Sequence, residues 1–158
     1  MKIKSIAAIC KKNKNIAIFE RYSDDGDILT QYIGDGSAVY PVVGLPQLDK
    51  ESLLTIFDVP EKDRDNYFVK TLGVPVGISF EDTDETERHV EREGISIIYS
   101  GRTLKPIRTT RGLIFIESRY LSPVADVLDV LELYERRTAE GAPYIVAKAG
   151  FLLQAVIM

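Results

Sequence analysis

The first recurring pattern in the chain is helical. Between residues 2 and 13, apolar side chains follow the i, i+3, i+4, i+7 spacing that places them on one helix face, and these are Ile3, Ile6, Ala7 and Cys10. Lys4, Lys11 and Lys12 project from another face of the same segment. The pattern predicts an amphipathic helix with a cationic side.

Strand patterns follow this helix. Residues 16–22 and 28–33 are rich in β-branched and aromatic side chains, and they flank the turn sequence Asp24-Asp25-Gly26-Asp27. This arrangement predicts a β-hairpin. A third strand is expected over residues 38–43. It should lie at a sheet edge or end there, because Pro41 has no N–H to donate to a ladder.

The middle of the chain alternates short elements with turn residues. Asp49 has the chemistry of an N-cap and predicts a short helix that runs to about Phe57. Short strands are expected over residues 67–72 and 76–80. From residue 81 to 93 the side chains are almost all polar, which predicts a charged loop or a disordered insertion near residues 81–94.

The last third of the chain carries strands around one expected helix. Strands are predicted over residues 95–99, 113–117, 144–149 and 151–158. Ser122 and Pro123 have N-cap and first-turn chemistry. The apolar stripe that follows them is helical in its spacing and consists of Val124, Val127, Leu128, Leu131 and Tyr134.

Length and composition fit one domain of these elements. The chain has 158 residues, of which 45% are hydrophobic. We therefore predict a single α+β domain over residues 1–158, with mostly antiparallel sheet and about three packed helices. One cysteine rules out an internal disulfide, and no apolar run approaches the roughly 20 residues of a membrane span. The expected location is the cytoplasm, with no membrane partner.

Positive charge is concentrated in two blocks. Residues 1–19 and 94–116 hold nine Lys or Arg residues, and all 24 acidic residues lie outside them. Such blocks can neutralise phosphates, so non-specific, salt-sensitive contact with DNA is one interpretation. A solvated cationic surface is the other. The candidate nucleic-acid-binding residues are Lys4, Lys11, Lys12, Arg102, Lys105, Arg108 and Arg111.

Catalytic chemistry has few candidates. The only histidine, His89, lies in the polar stretch, and the only cysteine, Cys10, lies on an apolar helix face where a thiol is inert. Glycine-rich phosphate loops are absent, and we expect no cofactor or metal. Asp24, Asp25 and Asp27 are expected to form a solvated turn, and the same is expected of Asp35. One enzymatic alternative stays open, a metal-dependent nuclease built from carboxylates near strand ends: Glu20, Asp27, Asp35 and Glu117.

The end of the chain resembles a known family. Residues 113–158 contain Phe115-Ile116-Glu117-Ser118-Arg119-Tyr120-Leu121, Val127-Leu128-Asp129-Val130-Leu131 and the ending Ala155-Val156-Ile157-Met158. This stretch resembles the closing half-domain of DNA sliding clamps. The resemblance implies helices around DNA, sheets joined edge to edge between subunits, a basic lining inside an acidic exterior, and no catalysis. The helix carrying Lys4, Lys11 and Lys12 is similar in charge.

A fainter resemblance concerns the sequence Gly34-Asp35-Gly36-Ser37-Ala38-Val39-Tyr40-Pro41, which is similar to uncharacterised phage and prophage proteins of Gram-positive bacteria. That family implies no known activity. The sequence therefore favours a non-enzymatic interaction module, phage-associated and self-assembling through sheet edges, which touches or encircles DNA in a clamp-like way. The alternatives are the nuclease and a structural or assembly protein without nucleic-acid contact.

Overall fold

A computed structural model describes residues 2–158 of the chain. Helix accounts for 24% of the residues and strand for 43%, which confirms the α+β class. The chain divides into two compact units. One is Ile3–Pro75, and the other is Val76–Met158 with the chain start at Lys2. Within residues 2–158, no helix is both long enough and apolar enough to cross a membrane.

The first unit combines a four-stranded sheet with two α-helices. Its helices are α1 (Ile3–Asn13) and α2 (Lys50–Ile56), and its strands are β1 (Asn15–Tyr22), β2 (Ile28–Gly34), β3 (Ala38–Val42) and β4 (Phe68–Gly73). The spatial order is β4-β1-β2-β3. The β1, β2 and β3 strands form an antiparallel meander, whereas β4 pairs with β1 in parallel. The predicted first helix, hairpin and third strand are confirmed, and β4 matches the strand expected at 67–72.

Local chemistry explains where α2 begins. The side chain of Asp49 accepts a hydrogen bond from the Ser52 backbone N–H at 2.8 Å, and the Ser52 hydroxyl accepts one from the Asp49 N–H at 2.9 Å. This reciprocal capping box satisfies two N–H groups that would otherwise lack partners at the helix start. The predicted cap is therefore confirmed. A 3₁₀ turn, Glu61–Asn66, leads from this region to β4.

The second unit contains two antiparallel sheets. Its strands are β5 (Arg88–Val90), β6 (Ile97–Tyr99), β7 (Arg102–Thr109), β8 (Gly112–Glu117), β9 (Leu131–Arg137), β10 (Pro143–Ala149) and β11 (Leu152–Ile157). One sheet of this unit has the order β11-β10-β9-β5, and the other has the order β6-β7-β8. The strands expected at 95–99, 113–117, 144–149 and 151–158 are present with small shifts of their ends.

The helix predicted from Ser122 onward is wrong. Residues Ser118–Val130 form a series of 3₁₀ turns, interrupted by non-helical backbone at Val124 and Val127. The chain then continues as β9, where Leu131 and Leu133 are buried and Glu132 is exposed. A proline inside the segment, Pro123, lacks the N–H that a continuous helix needs, and pairing with β10 satisfies the backbone that follows.

The strand predicted at residues 76–80 is also wrong, because those residues form a turn and extended loop outside any ladder. Phe80 is nevertheless buried. The segment is held by side chains, since the Tyr144 hydroxyl accepts a hydrogen bond from the Ser79 N–H at 2.9 Å. Its burial comes from tertiary contacts rather than strand pairing.

Candidate interaction surface

The small β6-β7-β8 sheet has a tightly defined register. A two-residue turn at Ser100 and Gly101, with φ of 49° and 73°, joins β6 to β7. Such turns match the twist of the strands they connect. The register pairs Tyr99 with Arg102 across β6 and β7, and Leu104 with Glu117 across β7 and β8. Residues that are paired in this way point to the same side of the sheet.

The two faces of this sheet differ sharply. One face is packed into the second unit, with Ile107 fully buried and Ile116 5% exposed. The other face, here called the open face, carries apolar side chains in solvent. They are Ile97 (38% exposed), Tyr99 (71%), Leu113 (48%) and Phe115 (48%). These four large apolar side chains are exposed on one face of three strands, as apolar side chains are at binding sites.

Charged side chains lie at both ends of the open face. At one end, Arg102 Nη1 lies 3.3 Å from Glu117 Oε1, and Arg119 Nε lies 2.8 Å from the other oxygen of the same carboxylate. At the opposite end, Arg108 Nη2 lies 3.1 Å from Glu93 Oε1. The patch therefore has an apolar middle and ends that carry both signs of charge, as protein interfaces do.

The basic series predicted on β7 does not form one stripe. Side chains alternate along a strand, so Arg102 and Arg108 lie on the open face and Lys105 lies on the other. Lys105 Nζ donates to Ser96 Oγ at 2.6 Å. Arg111 lies in the turn after β7, where its Nη1 donates to the Gly141 carbonyl at 3.3 Å. The arginines of the open face are paired with carboxylates, and nucleic-acid binding by the series stays a prediction.

The basic residues of α1 are less constrained. Lys4 and Lys12 are exposed, and Lys11 is half-buried, with its Nζ 3.4 Å from the Asp58 carbonyl oxygen. Among residues 2–158, no carboxylate forms an ion pair with any of these three lysines. The helix buries Ile6, Ala7, Ile9 and Cys10 on the opposite side. Its cationic face is therefore available to an anionic partner.

The carboxylates of the nuclease alternative do not form a metal site. Glu20 is buried and accepts a hydrogen bond from Gln31 Nε2 at 2.9 Å, whereas Asp27 is exposed in the hairpin turn. Asp35 lies at the other end of the β1-β2 ladder, and Glu117 binds two arginines. Within the described part of the chain, no three His, Cys, Asp or Glu side chains cluster in a way that could hold a metal.

Asp35 differs from its prediction, because it is buried rather than solvated. Its carboxylate accepts hydrogen bonds from the backbone N–H groups of Ser37 at 3.0 Å and Ala38 at 3.2 Å. Asn13 Nδ2 lies 3.3 Å from the other oxygen. The carboxylate therefore holds the turn between β2 and β3, which is a structural use of a buried charge.

The other two candidate catalytic residues, His89 and Cys10, contact neighbouring side chains or lie in the core and do not form a catalytic arrangement with each other. His89 lies on β5, exposed, with its ring edge-on to the Tyr134 ring at a centroid distance of 5.4 Å. Cys10 is fully buried, and desolvation, with a smaller effect of the Asp35 charge, raises the pKa of its thiol to about 12. The prediction that this thiol is buried is confirmed.

A buried charge cluster, which the sequence patterns did not reveal, organises residues 79–87. Arg136 is fully buried on β9, and its Nε donates to Glu87 Oε2 at 2.8 Å. Lys148 Nζ on β10 donates to the other Glu87 oxygen at 2.7 Å. Arg136 also donates to the backbone carbonyls of Ser79 and Glu81. We call Arg136, Glu87 and Lys148 the charge clasp.

A charged loop or a disordered insertion was expected near residues 81–94, and residues 81–87 do form a loop with mostly exposed side chains. Part of that segment is a strand, β5, which pairs with β9, and Val90 on it is buried. The almost entirely polar composition of residues 81–93 suggested that no side chain there is buried. The segment is instead fixed by ionic partners that lie 49 and 61 residues after Glu87 in the chain. The only sequence signal was indirect, since Lys148 interrupts the otherwise apolar strand pattern of residues 144–149.

Comparisons of the chain with protein-family models, with curated proteins and with solved structures found no match.

Proposed function

We propose that this protein is an interaction module that self-associates through the open face of its β6-β7-β8 sheet. The observation that carries the proposal is the exposure of Ile97, Tyr99, Leu113 and Phe115 together on one face. Burial of such side chains against a partner is favourable, at roughly 25 cal/mol per Å² of apolar surface removed from water. A sheet with one packed face and one apolar open face is completed by a second layer.

Charge supports a second copy of the chain as the partner. A two-fold contact uses the same patch on both subunits, so the patch must be complementary to itself. The open face meets this condition because each end carries an arginine beside a carboxylate, Arg102 with Glu117 and Arg108 with Glu93. Either end of one copy can therefore face either end of another without placing like charges together. A patch with one sign of charge would repel its own copy.

The test is the association state of single-residue variants, measured by sedimentation over a range of protein concentrations. The wild-type chain should dimerise. The Phe115→Ser variant should weaken the dimer by about tenfold or more, because truncating a central interface aromatic costs more than about 1.4 kcal/mol. The variant Ile98→Ser is the matched control, because Ile98 is 80% exposed on the same sheet but points to the opposite face.

Two outcomes would contradict the proposal. If the wild-type chain stays monomeric at every concentration, a second copy does not bind the open face. A dimer that is weakened by Ile98→Ser but not by Phe115→Ser would place the contact on the opposite face of the sheet.

Contact with DNA through α1 is a second candidate function. The observation that favours it is that Lys4 and Lys12 are exposed and that no carboxylate pairs with them in residues 2–158. Binding would be non-specific, and the triple substitution of Lys4, Lys11 and Lys12 by Glu should abolish retention of duplex DNA. If three phosphate contacts are lost, the slope of log affinity against log salt falls by about 3.

The matched control for this test changes the net charge equally at other exposed lysines of the first unit, Lys50, Lys62 and Lys70. If the contact is made by α1, the variant with all three control substitutions should still retain duplex DNA. Equal loss of retention in both triples would show that only the net charge matters and would remove α1 as an interface.

A further inference from the structure

Arg111, in the turn after β7, and Arg137, at the end of β9, donate hydrogen bonds to the same backbone oxygen. Arg111 Nη1 lies 3.3 Å from the Gly141 carbonyl oxygen, and Arg137 Nη1 lies 3.4 Å from the same atom. Gly141 has a φ of 82°, a conformation that side chains other than glycine rarely adopt, and this turn presents its carbonyl to both guanidinium groups. Two positive charges therefore share one neutral acceptor.

The carboxylate nearest in this arrangement is already occupied. Glu135 is fully buried, and one of its oxygens accepts a hydrogen bond from the Thr110 N–H at 2.8 Å. The other oxygen accepts from the Thr110 hydroxyl at 2.8 Å and from Arg137 Nη2 at 3.1 Å. Glu135 thus balances the charge of Arg137 and accepts three hydrogen bonds within the protein.

The charge of Arg111 has no such balance. Among residues 2–158, no carboxylate forms an ion pair with Arg111, and the only hydrogen bond that its side chain makes there is the one to Gly141. Its Nε and Nη2 groups are left to solvent on an exposed side chain. The guanidinium of Arg137 is 21% exposed, so it can also be approached from outside. Glu140, in the same turn, is exposed and has no ion pair in the described chain.

We propose that Arg111 and Arg137 form a binding site for a phosphate group. Guanidinium groups present paired N–H donors that match two oxygens of a phosphate, and the unbalanced charge of Arg111 attracts an anion to this pair. A tetrahedral phosphate group, in inorganic phosphate or in a phosphodiester, directs its oxygens out of one plane and can place them on both guanidinium groups at once. A carboxylate has only two oxygens, which lie in one plane and suit one guanidinium group. The site therefore favours phosphate over acetate.

The experiment is a calorimetric titration of the full chain with inorganic phosphate, with ionic strength held constant by sodium chloride. Phosphate should give a saturable isotherm, and acetate should give none at the same concentrations. Arg111→Gln should weaken phosphate binding by about tenfold, the effect of losing one charge-assisted contact. Glu140→Gln should tighten it, because a neighbouring negative charge is removed.

Arg92→Gln is the matched control, since Arg92 is an exposed arginine of the same unit that belongs neither to the open face nor to this pair. It should leave phosphate affinity unchanged. A flat wild-type isotherm, or equal affinity in wild type and Arg111→Gln, would overturn the site.

A second arm separates two sources of the phosphate group. A short duplex oligonucleotide that displaces inorganic phosphate from the wild type, and fails to bind the Arg111→Gln variant, identifies a nucleic-acid phosphodiester as the ligand. Phosphate binding that the oligonucleotide does not affect identifies a free phosphate or a phosphate monoester. Both results support the two-arginine site.

Discussion

The thiol of Cys10, the only cysteine of the chain, is buried. It is on the buried side of α1, fully screened from solvent, and its pKa is raised from the ordinary 9.0 to about 12. Burial is the larger cause, because it penalises the charged thiolate, and the charge of Asp35 adds to it. The thiol is therefore neutral and unreactive across the physiological range.

We expect iodoacetamide at pH 8 to label the folded protein far more slowly than the urea-unfolded chain. A pKa that is three units higher leaves about a thousandfold less thiolate. Mass spectrometry gives an unambiguous readout, because Cys10 is the only cysteine. Equal labelling rates with and without urea would mean that α1 does not bury this side chain.

Because the pKa of Cys10 is raised, the free energy of unfolding should fall as the pH becomes alkaline. The folded state holds the thiol neutral to about pH 12, whereas the unfolded chain ionises near 9.0. The contribution of Cys10 to the free energy of unfolding is therefore complete below pH 9 and is lost as the pH rises from 9 toward 12. Cys10→Ala should reduce this part of the pH dependence, which urea titrations at pH 8 and pH 10.5 can measure.

Among the elements, the loop from Ser79 to Glu87 depends on the charge clasp rather than on a ladder. Glu87 is the only carboxylate in the clasp and balances two buried cations, Arg136 and Lys148. We expect Glu87→Gln to lower the free energy of unfolding by about 3 kcal/mol, since breaking a buried ion pair leaves uncompensated charge. Urea denaturation of the variant measures this loss.

Glu91→Gln is the control for the clasp prediction, because Glu91 is an exposed carboxylate close by in sequence. It should change stability by less than about 0.5 kcal/mol. Hydrogen exchange adds a local readout. In Glu87→Gln the amides of residues 79–87 should exchange faster than those of β10, and an equal response of both variants would show that the clasp does not hold the loop.

The elements of the first unit could be predicted because each is specified locally. The i, i+3, i+4, i+7 spacing of α1, the turn sequence of the first hairpin and the capping residue Asp49 all act within a few residues. No long-range contact opposes these local preferences. Pattern and structure therefore agree to within one or two residues at most element ends.

The structure of the segment after Ser122 could not be predicted from its sequence, because the helical and the strand spacing of apolar residues overlap there. Val124, Val127, Leu128 and Leu131 fit a helix, while Leu131-Glu132-Leu133 already follows the two-residue period of a strand. Pairing of β9 with both β10 and β5 decides in favour of the strand. One of these partners, β5, is distant in sequence, and a local pattern cannot reveal such a pairing.

At the scale of the whole molecule, the charge pattern predicted an anion-binding side, but it did not predict which basic residues pair with carboxylates. Arg102 and Arg108 of β7 pair with Glu117 and Glu93, which lie in other segments of the chain. The apolar open face was not predicted either. The strands 95–99 and 113–117 were expected, but only the three-stranded sheet shows that one face packs inward and leaves Tyr99 and Phe115 outside.

Self-association through the open face also predicts how heat stability depends on concentration. A partner that binds only the folded chain stabilises it by RT ln(1 + [L]/Kd), about 2.7 kcal/mol when the chain is at a hundred times Kd. For a chain of this size that corresponds to a rise in Tm of roughly 5 to 10 °C. Calorimetry of the wild type over a hundredfold range of concentration should show the rise.

In Phe115→Ser the rise in Tm over the same range should be smaller, because the weakened dimer is less populated at each concentration. Ile98→Ser should keep the rise, since its side chain lies on the opposite face of the sheet. A constant Tm in the wild type would contradict self-association even if a dimer were seen in the ultracentrifuge, because a contact that stabilises the folded chain must raise its Tm with concentration. The dependence of Tm on concentration thus tests whether the open face contributes to the stability of the assembled protein.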